Sequence, residues 1–216
     1  YKRQILHEVN LSGAKLRAAR ARFCSLRMVD MTGSDISNAD FEESTMRDVD
    51  LRFVNVSGTS FEYAQLTYVR YNRAMTCAGV RAYHCYGSAR LRRFLIDQAY
   101  IEEFAQEHPV LFRLWQLSSD CGRSMLRVLL TGLAIVIAFA AMFFFLGPEH
   151  FAISSMEWKP LTVFYFSVVT FSTLGFGDIA PLTDIAAVLV IIEVLFGYMI
   201  LGILIAILAD RVARRG

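Results

Sequence analysis

The sequence predicts a chain of two unlike parts: a β-solenoid that turns a corner every few residues, then an all-helical module that crosses a membrane twice. Three observations predict it. Large apolar residues recur at every fifth position from Leu6 to about Leu91. Two long uncharged runs follow, Val128 to Leu146 and Ile185 to Leu208, the second interrupted only by Glu193. Between them a shorter apolar segment ends in Thr-Leu-Gly-Phe-Gly-Asp, Thr173 to Asp178. Over 216 residues the hydrophobic fraction is 55%, too high for an ordinary soluble domain.

Counting in fives from Leu6 gives Leu11, Leu16, Ala21, Leu26, Met31, Ile36, Phe41, Met46, Leu51, Val56, Phe61, Leu66 and Tyr71, then Thr76, Arg81, Tyr86 and Leu91. Two residues before each, small side chains are frequent, from Ala14, Ala19 and Cys24 to Ala74 and Gly79. Asn10, Asp30, Asp35, Asp40, Asp50 and Asn55 recur between the two. Neither a helix of period 3.6 nor a strand of period 2 keeps a five-residue repeat on one face, but a chain that bends every five residues does. The pattern, plain in Asn38-Ala39-Asp40-Phe41, resembles the pentapeptide-repeat family. That resemblance implies a right-handed quadrilateral β-helix, one pentapeptide per side, of roughly four coils stacked at about 4.7–4.9 Å. The departures at Ala21, Thr76 and Arg81 are read as a thinner side and a frayed last coil.

A solenoid needs its open end covered. Leu91 to Ala105 changes to helical spacing and is expected to cap the last coil, ending at His108-Pro109 because the residue before proline disfavours helix. Val110 to Leu117, with Phe112, Arg113 and Trp115, suits a helix lying in the membrane interface, and equally a plain linker helix. The expected domains are therefore 1–91 (solenoid), 92–122 (capping and interfacial linker) and 123–216 (membrane module).

Each long run is enough to cross about 30 Å of hydrocarbon, so spans are expected over about 123–146, with Asp120 as N-cap, and about 185–209. Gly147-Pro148 stops the first. Arg123 and Arg127 precede the first span, while Arg211, Arg214 and Arg215 follow the second; the intervening loop holds acidic residues and a single Lys159. Positive-inside bias then puts both termini and the solenoid in the cytoplasm of a multi-pass cell-membrane protein. Pro160 to Phe171 is too short to cross and reads as a re-entrant helix, 160–171, leading straight into backbone-exposing glycines.

Thr173 to Asp178 has the form T-x-G-[Y/F]-G-D and resembles the selectivity filter of two-span potassium channels, the likeness extending over about Arg123 to Arg215. It implies four copies around an axis, a homotetramer. The carbonyls of Thr173, Leu174, Gly175 and Phe176, with the Thr173 hydroxyl, then replace the water shell of potassium, while Gly177 ends the column and Asp178 stands behind its outer mouth. Three departures matter. Phe176 replaces the commoner tyrosine, Leu174 the usual valine, and Val169 stands where some members carry a carboxylate that pairs with the aspartate.

Gly197, twenty residues beyond Gly177, matches the inner-helix hinge of that family, and Gly202 also matches a small position. Tyr198, Leu201, Ile205 and Ala209 follow at helical spacing and are expected to face the axis, with Leu201 and Ile205 as an apolar gate. The alternative for both glycines is close helix packing. Glu193 points about 140° away from that stripe. It is expected to brace the filter through Thr170 or Ser172, with cavity lining as the alternative.

Cys24, Cys77, Cys85 and Cys121 show no metal-ligand spacing and read as reduced thiols. No nucleophile–base pair or phosphate loop marks an enzyme, and no cofactor is expected beyond permeant potassium. A net charge of +2 says nothing of nucleic acid, and the arginines of the solenoid disfavour the DNA-mimicking mode of some pentapeptide-repeat proteins. Expected partners are the lipid bilayer, three further copies, and a cytoplasmic protein on the β-helix. Opening at Tyr1 without Met or a secretory signal, the sequence is expected to lack its native start. The leading function is a potassium-selective channel; a weakly selective cation channel and a membrane-tethered interaction module are the alternatives.

Overall fold

The computed structural model describes residues 4–154 and 156–213. Arg214 and Arg215, part of the basic tail used above for topology, lie outside the described residues. The chain divides into two compact units, one ending at Pro109 and the other beginning at Val110.

The first unit is a β-helix of four-sided coils. Short strands β1 (Ile5–His7), β2 (Ser25–Arg27), β3 (Thr45–Arg47) and β4 (Gln65–Thr67) pair in parallel, with Ile5, Ser25, Thr45 and Gln65 in one row. Single-residue bridges such as Asn10 to Asp30 and Lys15 to Asp35 build the other sides at the same spacing of four pentapeptides. Up to Tyr68 each corner is a turn with a residue in a left-handed conformation, at Ala18, Phe23, Met28 and Phe53 as readily as at glycine. That is unfavourable for an L-residue, and ladder bonds between coils offset it, as from Phe23 N–H to the Glu42 carbonyl (3.1 Å).

The recurring Asp and Asn residues explain themselves here. Asn10, Asp30, Asp35, Asp40, Asp50 and Asn55 each accept the backbone N–H two residues on, at 2.8–3.1 Å. These Asx turns fix the corners at which they occur. Inside, Leu26, Met31, Ile36, Met46, Leu51 and Phe61 fill the column, with Phe41 stacked on Phe61 at 5.8 Å.

The last coil is not frayed; its register is shifted. Bridges twenty residues apart become twenty-one apart from Asn55 to Thr76 onwards, so one extra residue enters the corner after Tyr71. Thr76, Arg81 and Tyr86 are therefore exposed bridging positions, and Ala74 and Gly79 are outside as well. Met75, Cys77, Val80, Ala82 and Cys85 take the core in their place. At the insertion the Asn72 side chain accepts the Phe53 N–H (3.1 Å), a bond that backbone carbonyls make elsewhere in the ladder.

Helix α1 (Ala89–Glu107), N-capped by Ser88, buries Leu91, Leu95 and Ala99 on this coil. Its carboxylates finish the ladder. Glu102 Oε2 accepts the N–H groups of Cys77 and Ala78 (both 2.7 Å), and Glu103 Oε1 that of Gly79 (3.2 Å). Val56 and Gly58, one coil earlier, give theirs to backbone carbonyls. Two side chains thus stand in for a missing coil. The helix belongs with the solenoid core, so the linker expected from 92 is part of this unit up to Pro109.

The second unit opens with α2 (Pro109–Ser119), whose Val110, Leu111, Leu114 and Leu117 are exposed. A turn through left-handed Asp120, Cys121 and Gly122 reverses the chain into α3 (Met125–Leu146). Ser124, not Asp120, is the N-cap: its hydroxyl accepts the Arg127 N–H, while Asp120 in the turn pairs with the Arg127 guanidinium (3.3 Å). Thr131 Oγ1 donates to the Ser118 carbonyl (3.1 Å), fastening α2 to α3.

After Gly147 come a single 3-10 turn (Pro148–His150), strand β5 (Phe151–Ile153), helix α4 (Pro160–Phe171), strand β6 (Ile179–Pro181) and helix α5 (Asp184–Ala213). Helices α3 and α5 are long and apolar enough to cross a membrane. A core of Phe139, Phe143, Phe151, Val163, Phe166 and Ile179 packs between α3, α4 and the β5–β6 pair.

Candidate functional site

Helix α4 starts at Pro160, where the missing N–H costs nothing, and ends where the glycine motif begins. Thr173 N–H bonds the Thr170 carbonyl (2.9 Å) and Leu174 N–H the Val169 carbonyl (3.0 Å), so the motif is tied to the last helical turn. Thr173, Gly175 and Gly177 have φ of 59°, 55° and 77°, while Leu174 and Phe176 between them keep negative φ. Alternation between positive and negative φ lets successive carbonyls turn toward one side. A Cβ at Gly175 or Gly177 would meet nothing within 4 Å, so conformation, not space, demands glycine there. Thr173 adopts the same sign with a β-branched side chain, a strain of about 1–3 kcal/mol.

Beyond the motif the chain is clamped. Strands β5 and β6 pair antiparallel, Phe151 with Pro181 and Ile153 with Ile179, and Ser154 N–H reaches the Asp178 carbonyl (3.1 Å). This ribbon was not expected. Three-residue strands carry no period, and they lie far apart in sequence. The Tyr165 hydroxyl of α4 lies close to the Asp178 carboxylate, another neighbour that spacing did not suggest. Val169, lacking a polar group, is buried nearby in the helix.

Glu193 is fully buried and its Oε1 is hydrogen-bonded to Ser167, whose Oγ also lies 2.8 Å from the Val136 carbonyl of α3. The expected partners differ: Thr170 is buried one turn further along α4, and Ser172 gives its hydroxyl to the Val168 carbonyl (2.6 Å). At Gly197 a Cβ would stand 2.1 Å from the Phe171 carbonyl oxygen, whereas at Gly202 it would meet nothing within 4 Å. Gly197 therefore seats α5 against the end of α4. Tyr198, Leu201 and Ile205 are each more than half exposed on α5. Tyr198 and Leu201 join Phe171, Ser172 and Thr173 around a cavity of about 240 Å³. Among the described residues no cluster of His, Cys, Asp and Glu is arranged to hold a metal.

Residues 131–214 match the family model described as an ion channel. Residues 10–48 and 24–62 match that of pentapeptide repeats, with eight copies. The chain thus matches pentapeptide repeats ahead of an ion channel segment. Neither is an enzyme family. Over 89 residues the chain is 32% identical to two-pore potassium channel 5 of Arabidopsis thaliana, covering 41% of this chain and 21% of that protein. The chain thus spans about a fifth of that relative's length. Among solved structures, a pentapeptide repeat protein from the Arabidopsis thaliana thylakoid lumen is 21% identical, with a TM-score of 0.37 over 39% of this chain and 59% of that one. A plasmid-mediated fluoroquinolone resistance protein is 15% identical, with a TM-score of 0.17 over 40% of this chain and 51% of that one.

Proposed function

We propose that the chain is one subunit of a tetrameric potassium-selective channel in the cell membrane, with both termini and the β-helix on the cytoplasmic side. The observation that carries this reading is the alternation of left-handed φ at Thr173, Gly175 and Gly177 directly after a short apolar helix. Carbonyls of Thr173, Leu174, Gly175 and Phe176, with the Thr173 hydroxyl, replace the hydration shell of potassium, and Gly177 closes the column. A single loop cannot encircle an ion path. The exposure of Leu174 (60%), Phe176 (65%) and Leu201 (53%) on one protomer supports assembly with further copies.

In this reading α4 re-enters the membrane, and Asp178, Tyr165, Glu193 and the β5–β6 ribbon hold the filter from behind. Leu201 and Ile205, with Tyr198 above them, form an apolar constriction that conducts only when wide enough to stay wet. The exposed apolar face of α2 lies along the cytoplasmic interface. The solenoid, filled by its own side chains, offers its outer faces for assembly or for docking a cytoplasmic protein.

The test is reconstitution of the purified protein in liposomes, with reversal potentials measured in mixed potassium and sodium. A reversal potential tracking the potassium gradient is expected; equal permeation of both ions would leave only a weakly selective cation channel. Native mass measurement is expected to give four copies.

A further inference from the structure

Ser167 and Glu193 pose a question of proton counting. A serine hydroxyl owns one proton. Ser167 Oγ lies 2.8 Å from the Val136 carbonyl, which can only accept, so the serine proton goes there. The second contact of the same oxygen, to Glu193 Oε1, then needs a proton from the glutamate. The remaining oxygen, Oε2, is buried and has no hydrogen-bond partner. That is tolerable for the carbonyl of a neutral acid and far more costly for an ionised carboxylate.

Among the described residues no counter-ion pairs with the group. On the three helices that meet here, Arg127 is paired with Asp120, Tyr165 faces Asp178, and Tyr198 is exposed. Asp184 stands nine residues before Glu193 on α5, and Asp210 and Arg211 seventeen and eighteen after it, more than two helical turns away in each case. Among the described residues, Ser167 is the group hydrogen-bonded to the carboxyl.

We propose that Glu193 is carried as a neutral carboxylic acid that donates a hydrogen bond to Ser167, which in turn donates one to the Val136 carbonyl. One chain of two hydrogen bonds then fastens α4 to both membrane-length helices. Ser167 stands on α4 six residues before the strained Thr173, which follows the end of that helix and is bonded to its last turn, so the clamp positions the filter without touching an ion. The positioning role rests on the channel reading above; the protonation state does not.

Infrared spectroscopy of the full-length protein in lipid, at neutral pH, tests the proton. A carboxylic acid C=O stretch, absent from Glu193→Gln, is expected in the wild type. Loss of a carboxylate band in its place would overturn the proposal. Potassium flux through the same preparations tests the clamp. Glu193→Gln, whose amide still donates to Ser167, is expected to conduct like the wild type, while Ser167→Ala and Glu193→Ala lose flux. Should both alanine variants conduct normally, the positioning role is wrong. If the wild type itself carries no potassium, the channel reading fails. Thermal melting then judges the clamp, with lowered midpoints expected for Ser167→Ala and Glu193→Ala and none for Glu193→Gln.

Discussion

Gly197→Ala separates two roles for the glycine by the sign of its effect. A methyl at this position would lie 2.1 Å from the Phe171 carbonyl oxygen and 3.1 Å from its carbon. Comfortable contact needs about 3.5 Å, so α5 and the end of α4 must part by more than about 1 Å. Such overpacking costs about 1–3 kcal/mol. If the glycine served flexibility alone, alanine would instead gain about 1 kcal/mol of helix propensity. Gly202 is the internal control, because a Cβ there meets nothing within 4 Å.

The assay is thermal unfolding of the assembled protein in detergent, alongside potassium flux. At roughly 2–4 °C per kcal/mol for a chain of this size, Gly197→Ala should melt several degrees lower and Gly202→Ala no lower than the wild type. The displaced residue, Phe171, is the last of α4 and is followed by Ser172 and Thr173, so loss of conductance should accompany the shift. An unchanged or raised melting midpoint in Gly197→Ala would refute the seating of α5 on α4.

Three further outcomes follow from the geometry. Glu102→Ala leaves the Cys77 and Ala78 N–H groups without acceptors at a cost of about 1–3 kcal/mol each; hydrogen exchange should show both amides losing protection, and protection should survive in Glu102→Gln. Burial pushes the Cys77 thiol up to about 12 and the Cys85 thiol up to about 11, so neither should react with a thiol reagent in the folded protein at neutral pH. Because these folded values lie above the unfolded one of about 8.5, the stability of the solenoid should be complete below that pH and decline as pH rises toward 11 and 12; flat alkaline melting would contradict this. Tyr165→Phe removes the hydroxyl beside Asp178 and should hasten the run-down of potassium current during sustained conduction, with equal run-down ruling out that support.

The solenoid was legible because its rule is local. Each pentapeptide carries its own inward residue, and about half of them an Asx turn, so counting in fives located the core through Leu66 without knowledge of any distant contact. The rule failed where one residue was added. After Tyr71 a fixed count read Thr76 and Arg81 as weak core positions and Tyr86 as an ordinary one, although Met75, Cys77, Val80 and Ala82 alternate one step away. A restart of the count after each irregular corner would have found them. The role of Glu102 and Glu103 was less accessible, because it depends on which carbonyls the next coil would have supplied.

In the membrane half, the glycines and the two long apolar runs were legible because conformation and hydrocarbon thickness demand them wherever they occur. Contacts between helices were not, since a helical wheel gives the side a residue leaves by and not the height at which it meets its neighbour. Glu193 was turned to the right side of α5 yet assigned to Thr170 or Ser172. The height follows from Gly197. With that glycine against Phe171, stepping back one turn, four residues on each helix, brings Glu193 opposite Ser167. The two contacts are thus one register expressed twice, a close approach that only glycine permits and a polar bond one turn above it. Gly197→Ala should therefore weaken the Glu193–Ser167 bond without touching either residue, and the acid stretch of Glu193 should shift in that variant. An unshifted band in a destabilised Gly197→Ala protein would mean that the two contacts are independent.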